Sequence, residues 1–299
     1  MLKHPIIAQY SEMSERERAF VCETIKKHKP KKIVEIGIAA GTNSVIILDY
    51  LHENNLLDST TFCAIDYNTT YYRDLRSGNY MHNCGGGVES GQRKSGFLVQ
   101  ELVPHLTSYY NLYTGGLCAN HLEKVGDGID LCIIDTVHSS PGEGFDFLMV
   151  LPYLAENAVI ILHDLSYHCF NRSNNKHANI CALLFFALVG KKEIPPQYPP
   201  YEDVFQNIGS CVLSPNQKQF LEYYFRILHM PWEYMPSNED LLVFENYILK
   251  IYGEHFAVAF KHILALQRHW FEISHLRPSF FKRLYRKLKS KLKQVFRLK

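Results

Sequence analysis

The chain has 299 residues, with 32 Lys and Arg against 30 Asp and Glu, 15 His, 8 Cys and an apolar fraction of 46%. That length accommodates one large or two small domains, the apolar and aromatic content excludes a disordered chain, and no apolar run approaches the roughly 20 residues that cross a bilayer. The net charge of +2 is a cancellation: ten Lys and Arg and no acid lie between Arg277 and Lys299, which leaves 22 basic and 30 acidic residues, or −8, in the first 276.

In chain order, Met1-Leu-Lys-His-Pro lacks the charged, apolar and small-residue regions of a signal peptide, so a soluble intracellular protein is expected. Ser14-Glu-Arg-Glu17 has the spacing of a capping box and opens a helix to about His28, which Pro30 stops. Ile33 to Gly37 reads as a buried strand ending in glycine, and Gly41-Thr-Asn-Ser44 leads into a helix through about Leu51. A second strand runs from Thr60 to Asp66. Residues 67–96 are polar and rich in glycine, and Tyr71, Tyr72 and Tyr80 there are candidates for stacking on an acceptor. A helix from Leu98 to Leu106, a strand at Tyr109–Tyr113 and a helix at Ala119–Val125 follow. The strands Ile129–Asp135 and Ala158–Leu162 flank a helix from about Gly144 to Leu154. Alternating helices and near-continuous apolar strands predict an α/β protein with a parallel sheet covered on both faces. Beyond Asp164 come a helix from Asn175 to Val189, a Pro-rich link at 194–200, a strand-like run at Ile208–Leu213 and helical sequence to the end. The eight cysteines form no C-x-x-C pair, and several sit in apolar strands, which predicts buried reduced thiols.

Three segments carry chemistry. Glu35-Ile-Gly37-Ile-Ala39-Ala-Gly41 is a strand, a tight turn and a helix start, a geometry that brings backbone N–H groups close to a ligand. The dinucleotide spacing G-x-G-x-x-G would need glycine at 39 and 42, where Ala39 and Thr42 stand. Acid-x-G-x-(G/A)-x-G fits every position, and it resembles motif I of class I S-adenosylmethionine (SAM) methyltransferases. Asp66 ends the second strand, where a carboxylate can accept both hydroxyl protons of a ribose. The third segment ends two strands with acids, in Asp135-Thr-Val-His138 and His163-Asp164. With the intervening Leu151-Pro-Tyr-Leu-Ala-Glu-Asn-Ala158, these ends are similar to a bacterial group of small-molecule and sugar O-methyltransferases. Their strand tips read D-x-x-H and H-D.

The resemblance spans about residues 28–165 and implies a Rossmann-like, mostly parallel sheet with helices on both faces, plus a helical C-terminal extension. It divides the chain into an N-terminal helical segment (1–27), a methyltransferase domain (28–214), a helical extension (215–276) and a basic tail (277–299). It implies SAM as cofactor, with Glu35, Gly37, Ala39 and Gly41 around the methionine part, Asp66 at the ribose, Thr114 and Gly115 at the adenine, and Asp135 at the same edge. Asp135 and Asp164 are the implied ligands of a Mg²⁺ ion, although position 165, which usually supplies a third oxygen, is Leu. His138 is the preferred general base, with His163 and His168 as alternatives and, in a metal-free site, one of them acting unaided.

Residues 201–276 contain no cofactor motif and are expected to shape the acceptor pocket, with Trp232 and Tyr234 in the core or a dimer surface. In the tail, Phe281, Leu284, Tyr285, Leu288, Leu292, Val295 and Phe296 share a helical face among basic residues, which suits an anionic membrane surface or a partner subunit. The expected activity is O-methylation of a sugar or saccharide-containing acceptor in cell-surface polysaccharide or natural-product biosynthesis, in the cytoplasm or at the inner face of the membrane, with a homo-oligomer open. The alternatives are an RNA methyltransferase, which the acidic body disfavours, and a non-catalytic or iron-binding, oxygenase-like relative of the same fold.

Overall fold

The computed structural model describes residues 2–75, 92–166, 179–196 and 206–273. The chain begins with helices α1 (Pro5–Tyr10) and α2 (Glu15–His28). The capping box predicted for α2 is present: Ser14 N–H donates to Glu17 Oε2 at 2.6 Å, and Glu17 N–H donates to Ser14 Oγ at 3.3 Å. Then follow β1 (Lys32–Ile36), α3 (Thr42–Glu53), β2 (Thr61–Asp66), α4 (Phe97–Leu102), β3 (Tyr110–Thr114), α5 (Ala119–Val125), β4 (Ile129–Ile134), α6 (Gly142–Val150) and β5 (Leu154–His163). The second half supplies α7 (Ile180–Ala187), β6 (Gly190–Glu193), β7 (Ile208–Leu213), α8 (Leu221–Ile227), α9 (Asn238–Tyr252) and α10 over 254–273.

The seven strands form one sheet in the order β3-β2-β1-β4-β5-β7-β6. β1 to β5 pair in parallel, and β7 runs antiparallel between β5 and β6. This is the expected Rossmann-like architecture. The apolar runs of β1, β4 and β5 are buried because both faces are covered. On one face Ile33, Leu131, Ile133 and Ile161 pack under α2, α3 and α4. On the other, Val34, Cys132, Ile134 and Ile160 pack under α5, α6, α7 and the C-terminal helices.

That second core is continuous from the sheet into the extension. Phe145 of α6 stacks on Phe244 of α9 with ring centroids 3.8 Å apart, and Trp232 meets Phe145 edge-on at 5.6 Å. Trp232 is therefore a core residue, one of the two roles expected of it. Truncating a buried phenylalanine costs about 3–5 kcal/mol, a large share of a domain's stability, so the helices after residue 214 are part of the fold.

Two predicted elements need correction, and a third element was missed. The helix read as 98–106 stops at Leu102, and Pro104 restarts the chain as a 3₁₀ turn (Pro104–Tyr109) because it has no N–H for an α-helical bond. The helix read to Leu154 stops at Val150. Pro152 sits in a short 3₁₀ turn, and β5 begins at Leu154, ahead of the apolar run. β6 was not expected: as an edge strand with Lys191, Lys192 and Glu193 exposed, it has no apolar alternation to reveal it. Six cysteines (22, 63, 118, 132, 181 and 211) are free and buried, as predicted. His168, Tyr80, the start of the 175–189 helix and the 277–299 tail lie outside the described residues.

Candidate active site

After β3 the chain crosses to the other side of β1 to form β4, so the carboxyl ends of β1 and β4 diverge and leave a crevice. A cavity of about 660 Å³ opens there. Its floor is two touching loops. Asp135 N–H donates to Ile36 O at 2.9 Å, and Gly37 adopts a left-handed φ of 84°. A Cβ at Gly37 would lie 2.1 Å from the Asp135 carbonyl oxygen, so only glycine fits. Ala39 shares the left-handed region at φ 48°, and Gly41 caps the N-terminus of α3 at φ 87°.

Asp66 lies across this turn. Its Oδ2 accepts the N–H groups of Ile38 and Ala39, each at 3.0 Å, and its Oδ1 accepts Asn68 N–H at 2.8 Å. The expected ribose acid thus also ties the glycine turn to β2. Burial raises its pKa, and these N–H donors act against the rise. Glu35 is buried and accepts from Asn43 Nδ2 at 2.9 Å and from Ser44 Oγ, which anchors β1 to the start of α3. Burial pushes its carboxyl up to about 7, with Ser44 and Asn43 opposing.

Neither residue expected at the adenine lines the cavity. Thr114 pairs with Asp66 at the end of β3 and Gly115 turns the backbone at φ 97°, but the cavity wall there is Gly116, Leu117 and Cys118. Gly41 likewise stands behind the wall, packed on Gly96. Glu35, Gly37, Ala39, Asp66 and Asp135 all line the cavity.

At the opposite end Asp135, His138 and Asp164 converge on the cavity. His138 Nδ1 lies 2.8 Å from Asp164 Oδ2 and 3.6 Å from Glu143 Oε1, and its Nε2 lies 3.9 Å from Asp135 Oδ1. Burial alone would lower the His138 pKa, but the hydrogen bond and charge of Asp164, with Asp135 and Glu143, push it up to about 9. Asp164 moves the other way. Burial opposes its ionisation, yet His138 and His163 hold it well below the usual carboxylate range.

His163 is 2% exposed and forms no part of the cavity wall. Its Nδ1 lies 3.0 Å from Asp135 Oδ1 and 3.3 Å from Asp164 Oδ2, while its Nε2 lies 3.5 Å from Glu17 Oε1. It sits behind the two acids, out of contact with an acceptor. Of the candidate bases within the described residues, His138 alone faces the cavity.

Several residues in and behind the cavity wall escaped the sequence reading. Glu143 is fully buried, and its Oε1 accepts the His138 backbone N–H. Its only signal was a carboxylate in the apolar helix Gly142–Val150. Asp146, whose carboxyl burial pushes up to about 7, accepts from Thr136 Oγ1 at 3.0 Å. Tyr234 and Asp240 reach the cavity from the extension, and Glu12 and Met13 from the N-terminal segment. Tyr67 donates to Asp240 Oδ2 at 2.9 Å.

The residues at the glycine turn fit SAM: a loop floor that a Cβ would block, a buried acid at the second strand tip and a cavity of sufficient size. The strand-tip acids do not fit Mg²⁺ in the same way. Leu165 is buried and apolar where a third oxygen would stand, and both acids are already in contact with imidazoles.

Residues 34–165 match the family model described as a methyltransferase domain. No curated protein matches the sequence. Among solved structures, the chain is similar to the O-methyltransferase TomG from Streptomyces achromogenes, involved in tomaymycin synthesis and crystallised with SAM. That match has 8% identity and a TM-score of 0.47, covering 71% of this chain and 91% of that one. It is also similar to the SAH-bound methyltransferase PaMTH1 of Podospora anserina, at 15% identity and a TM-score of 0.46, covering 71% and 83%. Both likenesses are remote.

Proposed function

We propose that the chain, whose residues 34–165 match a methyltransferase domain, is a SAM-dependent methyltransferase and that it methylates a hydroxyl oxygen of an uncharged, polyhydroxylated acceptor such as a sugar. The observation that carries this reading is His138, on the cavity wall at the end of β4, with Nδ1 2.8 Å from Asp164. With Nδ1 occupied by this close contact with Asp164, Nε2 is the atom left to take the proton of an acceptor hydroxyl.

When bound, SAM supplies a methyl group on a positively charged sulfur. The residues of the chain do the rest. Gly37 and Ala39 leave the floor of the cavity open, and Asp66 offers carboxylate oxygens to ribose hydroxyls beside its contacts with the turn. Gly116, Leu117 and Cys118 bound the adenine end. Tyr67, Tyr234 and Asp240 face the acceptor and orient it by hydrogen bonding. His138 withdraws the proton as the oxygen becomes a nucleophile, and Asp164 stabilises the imidazolium that results.

The electrostatics of the cavity favour this acceptor class. Its described lining contains seven acidic residues (Glu12, Glu35, Asp66, Asp135, Asp146, Asp164 and Asp240) and no Lys or Arg, and the charge on His138 is matched by Asp164. Such a wall repels phosphate-bearing acceptors and, with the −8 body, disfavours RNA. The tail, by contrast, supports attachment to an anionic membrane, where each basic residue is worth about 1 kcal/mol. No described helix is long and apolar enough to cross a membrane. Exposed Leu242 and Leu249 on α9, with Leu266 and Trp270 on α10, are consistent with a homo-oligomer.

Calorimetry with SAM, followed by transfer of labelled methyl to a panel of neutral, acidic and phosphorylated sugars, tests the reading. Binding of SAM with transfer confined to neutral hydroxyl acceptors is expected. Transfer to phosphorylated acceptors alone would reject the acceptor class, and a folded protein that does not bind SAM would reject the cofactor site.

A further inference from the structure

Two acids at adjacent strand tips suggest a divalent cation, but here imidazoles already contact one carboxylate oxygen of each. His163 stands behind Asp135 and Asp164 with one nitrogen between them, 3.0 Å from Asp135 Oδ1 and 3.3 Å from Asp164 Oδ2. Its other nitrogen faces Glu17 Oε1 at 3.5 Å, so a carboxylate stands at each end of the ring. Glu17 is itself fixed: its second oxygen accepts the Ser14 N–H that opens α2. The ring has little room to withdraw, being 2% exposed.

Mg²⁺ requires near-octahedral oxygen ligands at about 2.0–2.1 Å and binds imidazole poorly. In this cluster Asp164 Oδ2 already contacts both His138 and His163, and Leu165 presents carbon where a third carboxylate or amide oxygen would be needed. The donor set is that of an acid–imidazole lattice. It provides what a cation would provide, a positive or proton-donating centre that brings two carboxylates together.

We propose that His163 is a positioning residue standing in place of the divalent cation, bridging Asp135 and Asp164 and thereby holding Asp164 against His138, so that methyl transfer needs no metal. The proposal rests on the methyltransferase reading, which calorimetry with SAM tests separately.

The test uses the full chain, stripped with EDTA and titrated with Mn²⁺ as a spectroscopic probe for Mg²⁺. The paramagnetic resonance signal of free Mn²⁺ should persist in the presence of the wild type, and turnover should be the same in EDTA as in Mg²⁺. His163→Asp, which supplies a third carboxylate, should bind one Mn²⁺ per chain. His163→Asn keeps an N–H donor close to the position of Nδ1 and should retain turnover to within about tenfold, a difference of about 1.4 kcal/mol. His163→Leu should lose far more than that, with SAM affinity unchanged. Stoichiometric Mn²⁺ binding by the wild type overturns the proposal, as does turnover abolished by EDTA and restored by Mg²⁺. Equal losses in the Asn and Leu variants also overturn it, even if His163→Asp does not fold.

Discussion

His138 Nδ1 and Asp164 Oδ2 meet at 2.8 Å beyond the ends of the neighbouring strands β4 and β5, and neither residue has ordinary backbone: φ is 55° at His138 and 59° at Asp164. Left-handed conformations of this kind cost on the order of 1–3 kcal/mol each and persist where the surroundings impose them. Here the outer supports are visible. Glu143 accepts the His138 N–H, and Asn207 Nδ2 donates to Asp164 Oδ1 at 2.7 Å. Strain, buried acids and the cavity wall coincide at one pair.

His138→Ala should lower kcat by about 10²–10⁴-fold, the usual contribution of a general base, while SAM affinity stays unchanged in calorimetry. An equal loss of SAM affinity would assign His138 to the cofactor.

The pH dependence follows from the same pair. With its pKa pushed up to about 9 by Asp164, Asp135 and Glu143, His138 is largely protonated at neutral pH. Because the base acts in its neutral form, kcat/KM should rise through pH 7–9 and level off above about 9. The stability contribution has the opposite sense. A raised pKa stabilises the fold fully below the ordinary histidine value, and that contribution is lost as pH rises through about 9. Rate profiles and denaturant midpoints over that window should diverge, and a rate that is flat across it would rule out His138 as the base.

Gly37→Ala should abolish SAM binding. The left-handed backbone alone costs alanine roughly 1–2 kcal/mol, and the added carbon meets a backbone carbonyl that cannot rotate away. Thermal unfolding should therefore shift downward along with the loss of binding. Wild-type affinity in this variant would remove the turn from the site.

Asp66→Asn isolates the acid from its shape. One amide oxygen can still accept from the turn, but the pair of carboxylate oxygens is lost. Leaving a buried donor unsatisfied costs about 1–3 kcal/mol, so SAM affinity should fall between about 5-fold and 150-fold. Affinity within twofold of wild type would show that the turn contacts are the whole role of Asp66.

Truncation after Leu276 should abolish flotation with anionic liposomes and leave SAM affinity unchanged, since the cavity draws no described residue from beyond Asp240. Undiminished flotation would exclude the tail as the anchor.

The parts of the site that could be read from the sequence are those set by local backbone geometry. The Glu35–Gly41 turn, the acids ending β2, β4 and β5, and the His138 spacing each occupy a few consecutive residues. The parts that could not be read are long-range. Glu17 was visible as half of a capping box, and its contact with His163 exists only because α2 crosses the end of β5. From the sequence, Tyr234 reads as core or dimer surface and Asp240 carries no role, and both line the cavity because the extension folds back over the crevice. Pro104 and Pro152 ended helices that apolar periodicity alone would have continued.

The crossing of Gly41 and Gly96 bears on how such an enzyme acquires new acceptors. Gly96 N–H donates to Ala39 O at 2.9 Å, Leu98 N–H to Ala40 O at 3.1 Å, and Thr70 pairs with Lys94 in an isolated bridge. The two ends of the intervening segment are thus joined to each other, and the later end is fastened to the glycine turn. Changes between those joined ends leave the turn anchored, provided that the buried Tyr71 and the Arg93–Asp74 pair are kept. The interval is where we would graft or randomise sequence to redirect the enzyme.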